Sequence, residues 1–236
     1  MKAVLFDLDD TLFDHQHSYR SGLHALRETF PTLQQRPFDE LDQLYNHWLE
    51  SLHARVLDGS YTLYQARTER FRQIFKHCGA TVSDAELEQV IALHHQTYRE
   101  SQRAIAGVVP LLEHLRAAGI RIGIVTNNLT DEQWGKLRQC QLEAYVDVMV
   151  TAEDVGISKP DPAMFYAALQ QLDCESGETV MVGDSWRSDV LGATALGIRA
   201  LWLNRYGHPC PNPVLAAEFT SYEPLADVLG LLCASD

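Results

Sequence analysis

The sequence predicts an α/β protein, an open Rossmann-like parallel sheet with a helical segment inserted after the first strand. Three observations carry this. After Gly107, short apolar runs alternate with amphipathic segments of about ten residues, the pattern of βαβ units and so of a parallel sheet covered on both faces. From residue 15 to about 105 the apolar spacing is helical without a strand signal. The charge shifts at the same places: residues 15–105 hold 11 acids against 10 bases, and nearly all of the net charge of −13 lies in the remainder. The expected division is a core of 1–14 and 107–236, with 15–106 as a helical cap.

Taken in order, Lys2-Ala3-Val4-Leu5-Phe6-Asp7 reads as a short buried strand ending on a carboxylate. Within the insertion, Leu41, Leu44, Tyr45, Trp48, Leu49 and Leu52 form one apolar stripe; Phe71, Ile74 and Phe75 mark a second, and Leu87, Val90 and Ile91 a third. Gly79 is placed to stop the second of these helices. Pro110 to Leu115 opens a helix ended by Gly119, and Ile120–Thr126 follows as an apolar strand. Thr130 and Asp131 are placed to cap the next helix, which carries Trp134 and Leu137. Val146–Val150 is the third strand. Asp161-Pro162 is a helix entry, a capping side chain followed by proline at the first helical position. Thr179–Gly183 is the fourth strand, 187–196 a helix ended by Gly197, and Ile198–Asn204 the fifth strand. Residues 205–236 read as a closing loop and a last helix.

Composition excludes several classes of function. The 32 acids and 19 bases contain no basic run suited to a nucleic acid polymer. No stretch approaches the ~20 consecutive apolar residues of a membrane span. The apolar start Ala3-Val4-Leu5-Phe6 meets Asp7 at once, unlike a signal peptide, so a cytoplasmic address is expected. The five cysteines are scattered, with no CxxC or CxxH pair, and read as reduced thiols.

Chemistry collects at the expected strand ends. Residues 7–14 contain Asp7, Asp9, Asp10 and Asp14. If the extended backbone continues past Phe6, Asp7 and Asp9 point to one side; otherwise the segment is an acidic turn capping the first helix of the insertion. The second strand ends in Thr126-Asn127-Asn128, Lys159 follows the third, and Gly183-Asp184 ends the fourth. Alone, these are a helix cap, a solvated lysine and a turn. Together they gather a hydroxyl, an amine and several carboxylates at one sheet edge, where ligands of open parallel sheets bind. So many acids there call for a cation with oxygen ligands, Mg²⁺ being the natural candidate. The insertion would stand over that edge as a lid.

In chain order these segments resemble the four motifs of the haloacid dehalogenase superfamily of aspartyl-nucleophile hydrolases. Motif one is Val4-Leu5-Phe6-Asp7-Leu8-Asp9-Asp10-Thr11-Leu12, motif two Ile124-Val125-Thr126-Asn127-Asn128, motif three Lys159-Pro160, and motif four Val182-Gly183-Asp184-Ser185-Trp186-Arg187-Ser188-Asp189. The resemblance covers 1–14 and about 107–205, and the helical block matches in kind a small cap of the C1 type.

The resemblance implies Asp7 as nucleophile, forming an aspartyl-phosphate, and Asp9 as acid and then base, with its proton affinity raised by Asp7. It implies Mg²⁺ on the carboxylates of Asp7 and Asp184 and the backbone carbonyl of Asp9. Thr126 and the backbone at Asn127 would bind the phosphoryl oxygens, Lys159 would neutralise charge, and Asp189 would stand behind the metal site, orienting water or Lys159. The expected activity is Mg²⁺-dependent hydrolysis of a small phosphate monoester, such as a nucleoside monophosphate or a sugar phosphate, by a monomer or homodimer. A haloacid dehalogenase of the superfamily uses the same nucleophile without Mg²⁺ or the second acid, so Asp9 and Asp184 together favour phosphoryl transfer. A phosphomutase of the superfamily and a catalytically silent binding module on the same fold also stay open; Asp10, where many relatives have glycine, slightly disfavours the mutase. His17, Arg20 and His24 could face the site or pair within the bundle, and Trp186 could wall the pocket or pack beneath the sheet edge.

Overall fold

The computed structural model describes residues 1–234, leaving the last two residues of the expected closing segment outside the described ones. The chain divides into two compact units, one of Met1–Asp14 with Arg103 onward, the other His15–Gln102. The second boundary falls before residue 107 because the returning chain pairs with the end of motif one. Ile105 N donates to Leu12 O at 2.9 Å and Asp14 N to Arg103 O at 3.1 Å, with an antiparallel bridge between Phe13 and Ala104.

The first unit is the α/β sheet foreseen from the sequence. Its strands are β1 (Ala3–Phe6), β2 (Arg121–Thr126), β3 (Val148–Thr151), β4 (Thr179–Gly183), β5 (Arg199–Leu203) and β6 (Ala217–Phe219), paired in parallel in the order β3-β2-β1-β4-β5-β6. Every residue of β1 is fully buried, as expected for a central strand covered on both faces. The order reverses between β1 and β4, and such a switch point leaves a crevice outside the carboxyl ends of the two strands. Asp7 and Asp184 follow those ends directly.

The second unit is all-helical. It comprises α1 (His15–Thr29), α2 (Pro31–Gln34), α3 (Phe38–Leu57), α4 (Leu63–His77) and α5 (Asp84–Glu100). The three expected stripes meet there, with Leu41, Tyr45, Phe71, Ile74, Phe75, Leu87 and Val90 in one core beside Tyr19, Leu23 and Leu26 of α1. Gly79 follows α4 at φ 81°, a conformation open to glycine without strain. Capping boxes Thr62/Gln65 and Ser83/Glu86 start α4 and α5. Arg20 pairs with Asp42 at 3.5 Å and lies over Phe38, on which His24 stacks at 3.9 Å. Both therefore have partners inside the bundle.

The remaining helices belong to the first unit: α6 (Val108–Ala117), α7 (Thr130–Gln139), α8 (Ala152–Val155), α9 (Pro162–Leu172), α10 (Leu191–Thr194) and α11 (Leu225–Cys233). The Asp161 carboxylate accepts from Ala163 N at 2.9 Å, the cap expected for α9. Three local expectations need correction. Thr130 does not cap α7, whose N-cap is Leu129; the Thr130 hydroxyl instead meets Thr151 at 2.7 Å, and its N–H donates to Glu153 at 2.8 Å. β3 starts at Val148 because a 3-10 turn covers Glu143–Tyr145 and the Asp147 carboxylate accepts from Ile122 N at 2.8 Å. The expected helix 187–196 is a π-helical turn over Trp186–Val190 followed by α10. Among the described residues no helix is long and apolar enough to cross a membrane, and the five cysteines are free.

Candidate active site

The site is built at the carboxyl ends of β1, β2 and β4. Asp7 leaves β1 with its N–H donating to Val182 O at 3.0 Å, so the sheet ladder itself fixes where the carboxylate starts. The Lys159 ammonium donates to Asp7 Oδ1 and to Asp189 Oδ1, each at 2.7 Å, and to the Val125 carbonyl. All three side chains are buried. Gly183 is what lets Asp189 reach this position, because a Cβ there would overlap the Asp189 carboxylate. The π-helical turn aids this: Ser185 N donates to Asp189 Oδ2 at 3.0 Å while Ser185 O accepts from Asp189 N at 2.9 Å. A π turn widens the backbone spacing and is frequent at functional sites.

Carboxylate oxygens of Asp7, Asp184 and Asp189 all lie within 4.8 Å of one another. Burial, reinforced by Asp189 and Asp9 against the pull of Lys159, pushes Asp7 up to about 7. Asp184 is likewise driven well above the usual carboxylate range, first by burial and then by Asp7, Asp189 and Asp10. Burial works against the Lys159 ammonium, yet Asp189 and Asp7 hold its proton more tightly than in water. Three acids thus share one ammonium. Hard oxygen donors converging with unbalanced negative charge are the chemistry that suits a divalent cation such as Mg²⁺. Asp189, expected behind the metal site, stands among the three oxygens.

Asp9 is approached by donors from the residues after β2. Lys136 of α7 donates to its two oxygens at 2.6 and 2.8 Å, Gln133 to Oδ2 at 2.9 Å, and Asn128 to Oδ2 at 3.3 Å. Gln133 also donates to the Thr126 hydroxyl at 2.7 Å. Asn127 exchanges two hydrogen bonds with the Lys159 backbone, donating to its carbonyl at 3.0 Å and accepting from its N–H at 2.6 Å. Its side chain thus fixes the motif-three loop to motif two.

The other two acids of residues 7–14, Asp10 and Asp14, have basic partners instead. Asp14 is held by Arg103 at 2.7 Å and Arg205 at 3.1 Å, and Arg205 stands 3.7 Å from Asp10. Tyr206 donates to Asp10 at 3.4 Å. Trp186 packs edge-on against Trp202, ring centroids 5.2 Å apart, and the Trp202 indole N–H donates to Asp184 O at 2.8 Å. Sequence reasoning missed Gln133, Lys136, Arg103 and Arg205. A signal for Lys136 exists: Gln133, Lys136 and the buried Leu137 sit at i, i+3 and i+4, one face of α7.

Fold and site together define an α/β enzyme scaffold with an aspartate–lysine centre at its switch point. A family model described as haloacid dehalogenase-like hydrolase matches residues 1–197. The chain belongs to the haloacid dehalogenase-like hydrolases. It is 28% identical to the glyceraldehyde 3-phosphate phosphatase of Methanothermobacter thermautotrophicus, over 86% of each chain. It is 27% identical to the pyrimidine 5'-nucleotidase YjjG of Escherichia coli, over 98% of this chain and 97% of that one. Among solved structures it is similar to the HAD-hydrolase YfnB of Bacillus subtilis bound to magnesium (25% identity, TM-score 0.75, covering 97% and 98% of the two chains). It is also similar to a 2-haloacid dehalogenase of Pseudomonas syringae pv. Tomato (28% identity, TM-score 0.64, covering 98% of each).

Proposed function

We propose that this chain is a Mg²⁺-dependent phosphatase that hydrolyses a small phosphate monoester through an aspartyl-phosphate on Asp7. The observation that carries the reading is the pairing of two features: an Asp7–Asp184–Asp189 cluster suited to a divalent cation, with Asp7 and Asp189 buried, and a second carboxylate, Asp9, held separately by α7. A dehalogenase of this family attacks carbon and has use for neither. The carboxylates of Asp7 and Asp184 and the backbone carbonyl of Asp9 would hold Mg²⁺, with Asp189 beside them. When bound, the cation supplies charge neutralisation between an anionic nucleophile and an anionic phosphate.

The residues then divide the work. An Asp7 oxygen attacks phosphorus, and the bond from phosphorus to the leaving oxygen breaks as Asp9 delivers a proton to that oxygen. In the second half Asp9 takes a proton from water, whose oxygen attacks phosphorus and frees Asp7. The Thr126 hydroxyl and the backbone at Asn127 bind phosphoryl oxygens, while Lys159 balances charge on Asp7 and on the transferring group.

The helical unit His15–Gln102 would act as the cap that selects the leaving group. A phosphorylated sugar or a nucleoside monophosphate is the substrate class to try first, in keeping with what the relatives are named for. A soluble monomer or homodimer working in the cytoplasm completes the reading. The test is phosphate release from a panel of such monoesters, with Mg²⁺ and with EDTA, for the wild type and Asp7→Asn. The expected result is Mg²⁺-dependent release that Asp7→Asn abolishes. Full activity in Asp7→Asn, or chloride release from 2-chloropropionate without metal, would overturn it.

A further inference from the structure

We propose that Lys136 and Gln133 are positioning residues that hold Asp9 for proton transfer to the leaving group and couple it to the phosphoryl-binding hydroxyl of Thr126. The proposal rests on the phosphatase reading and extends it to a helix that carries none of the four motifs.

The two residues lie three apart on α7, on the face that packs toward the sheet edge. Lys136 is 5% exposed and Gln133 fully buried. Together they donate to the Asp9 carboxylate at 2.6, 2.8 and 2.9 Å, and Asn128 donates at 3.3 Å. A carboxylate bound from several directions has one orientation available to it. The Lys136 ammonium also lies 5.3 Å from the Phe13 ring centroid, which gives its buried charge an aromatic face as well as an anion.

Gln133 extends the arrangement across the site. Its amide nitrogen donates to Asp9 Oδ2 and to Thr126 Oγ1. A hydroxyl that accepts through a lone pair keeps its own hydrogen to donate, so Gln133 turns Thr126 into a donor aimed away from α7. The Gln133 carbonyl oxygen has no hydrogen-bond partner although it is buried. An apolar residue would pack α7 without a buried ammonium or an unsatisfied acceptor, so packing alone does not account for this pair.

The test uses a property that a scaffolding role would not move, the dependence on leaving group. An alkyl phosphate needs its leaving oxygen protonated, whereas p-nitrophenyl phosphate leaves well without help. In Lys136→Met, kcat/KM is expected to fall about tenfold or more for an alkyl phosphate but less than about threefold for p-nitrophenyl phosphate. Lys136→Arg should recover part of the loss. In an Asp9→Asn background, Lys136→Met should cost less than about twofold, because the two changes act through one group.

Gln133→Leu, which removes both donations and leaves the charge pair, should lower kcat/KM on both substrates through Thr126 and lower it further on the alkyl phosphate through Asp9, and it serves if Lys136→Met does not fold. Equal losses on both substrates, an undiminished loss in the Asp9→Asn background, or wild-type kcat/KM would each overturn the proposal. The parent reading is scored apart from these, by Mg²⁺-dependent release from the wild type and its loss in Asp7→Asn. A failure there removes both.

Discussion

Lys159 is the residue on which most of the buried charge turns. Its ammonium bonds two buried carboxylates. Removing one partner of a buried charge pair costs about 3–5 kcal/mol, mostly from the charge left behind. Lys159→Met should therefore lose stability on that scale in urea unfolding and lower kcat by roughly 10²–10³. A variant as stable as the wild type would show that Asp7 and Asp189 are balanced by something else. At this scale Asp7, Thr126, Lys159 and Asp184 are legible in the sequence because each ends or follows a strand, and a parallel sheet delivers all such ends to one edge. Lys136 and Gln133 are only faintly legible, through their shared face with Leu137, since a polar helix with two buried polar side chains otherwise reads like a solvated one. The same limit applies to Asp10 and Asp14, which look like candidate cation ligands until Arg205 and Arg103 arrive from distant segments.

At the scale of elements, the helical unit carries a buried titratable group of its own. His94 of α5 stacks against Tyr45 at 5.3 Å and meets Phe71 at 5.0 Å, and its Nε2 has no hydrogen-bond partner. Burial first, then Arg70 and Arg67, hold its pKa down to about 3, from an ordinary value of 6.5. The unfolded chain thus takes up this proton first as pH falls. The stability that neutral His94 allows is present above pH 6.5 and is lost progressively from there toward pH 3, by about 1.4 kcal/mol per pH unit. Urea midpoints at pH 6.5 and 5.5 should differ accordingly, and His94→Gln should flatten that difference; an unchanged slope would contradict it. Elements with a strong period were legible, α3, α4, α5 and the buried strands above all. β6 was not, because Ala217 and Glu218 are exposed on a three-residue edge strand and leave no apolar pattern. The π turn after β4 was hidden for another reason: its form depends on Asp189 reaching past Gly183, a tertiary contact with no local signal.

For the whole molecule, charge links stability to metal. The chain carries −13 overall, and at the switch point three carboxylates face one ammonium. Without a cation that crowding works against the folded state. Asp184→Asn, which leaves both Lys159 contacts intact, should raise the EDTA midpoint by on the order of 1 kcal/mol. It should also abolish the rise in midpoint that Mg²⁺ gives the wild type, about 2.7 kcal/mol at a hundred times its dissociation constant. A Mg²⁺-dependent rise surviving in Asp184→Asn would place the cation elsewhere. The two-unit organisation was visible as a change of period and of charge balance, and only the return point shifted, to Arg103, through backbone pairing that no side-chain pattern announces.

Covalent phosphorylation of Asp7 is the step on which the proposed chemistry stands, and acid-quenched turnover observes it without an intermediary assay. Enzyme mixed with a reactive phosphate monoester and Mg²⁺, quenched in acid within the first turnovers and digested, should carry phosphate on the peptide containing Asp7. The label should be absent with EDTA and in Asp7→Asn. Turnover with no phosphate on that peptide, together with normal phosphate release by Asp7→Asn, would refute an aspartyl-phosphate mechanism for this chain.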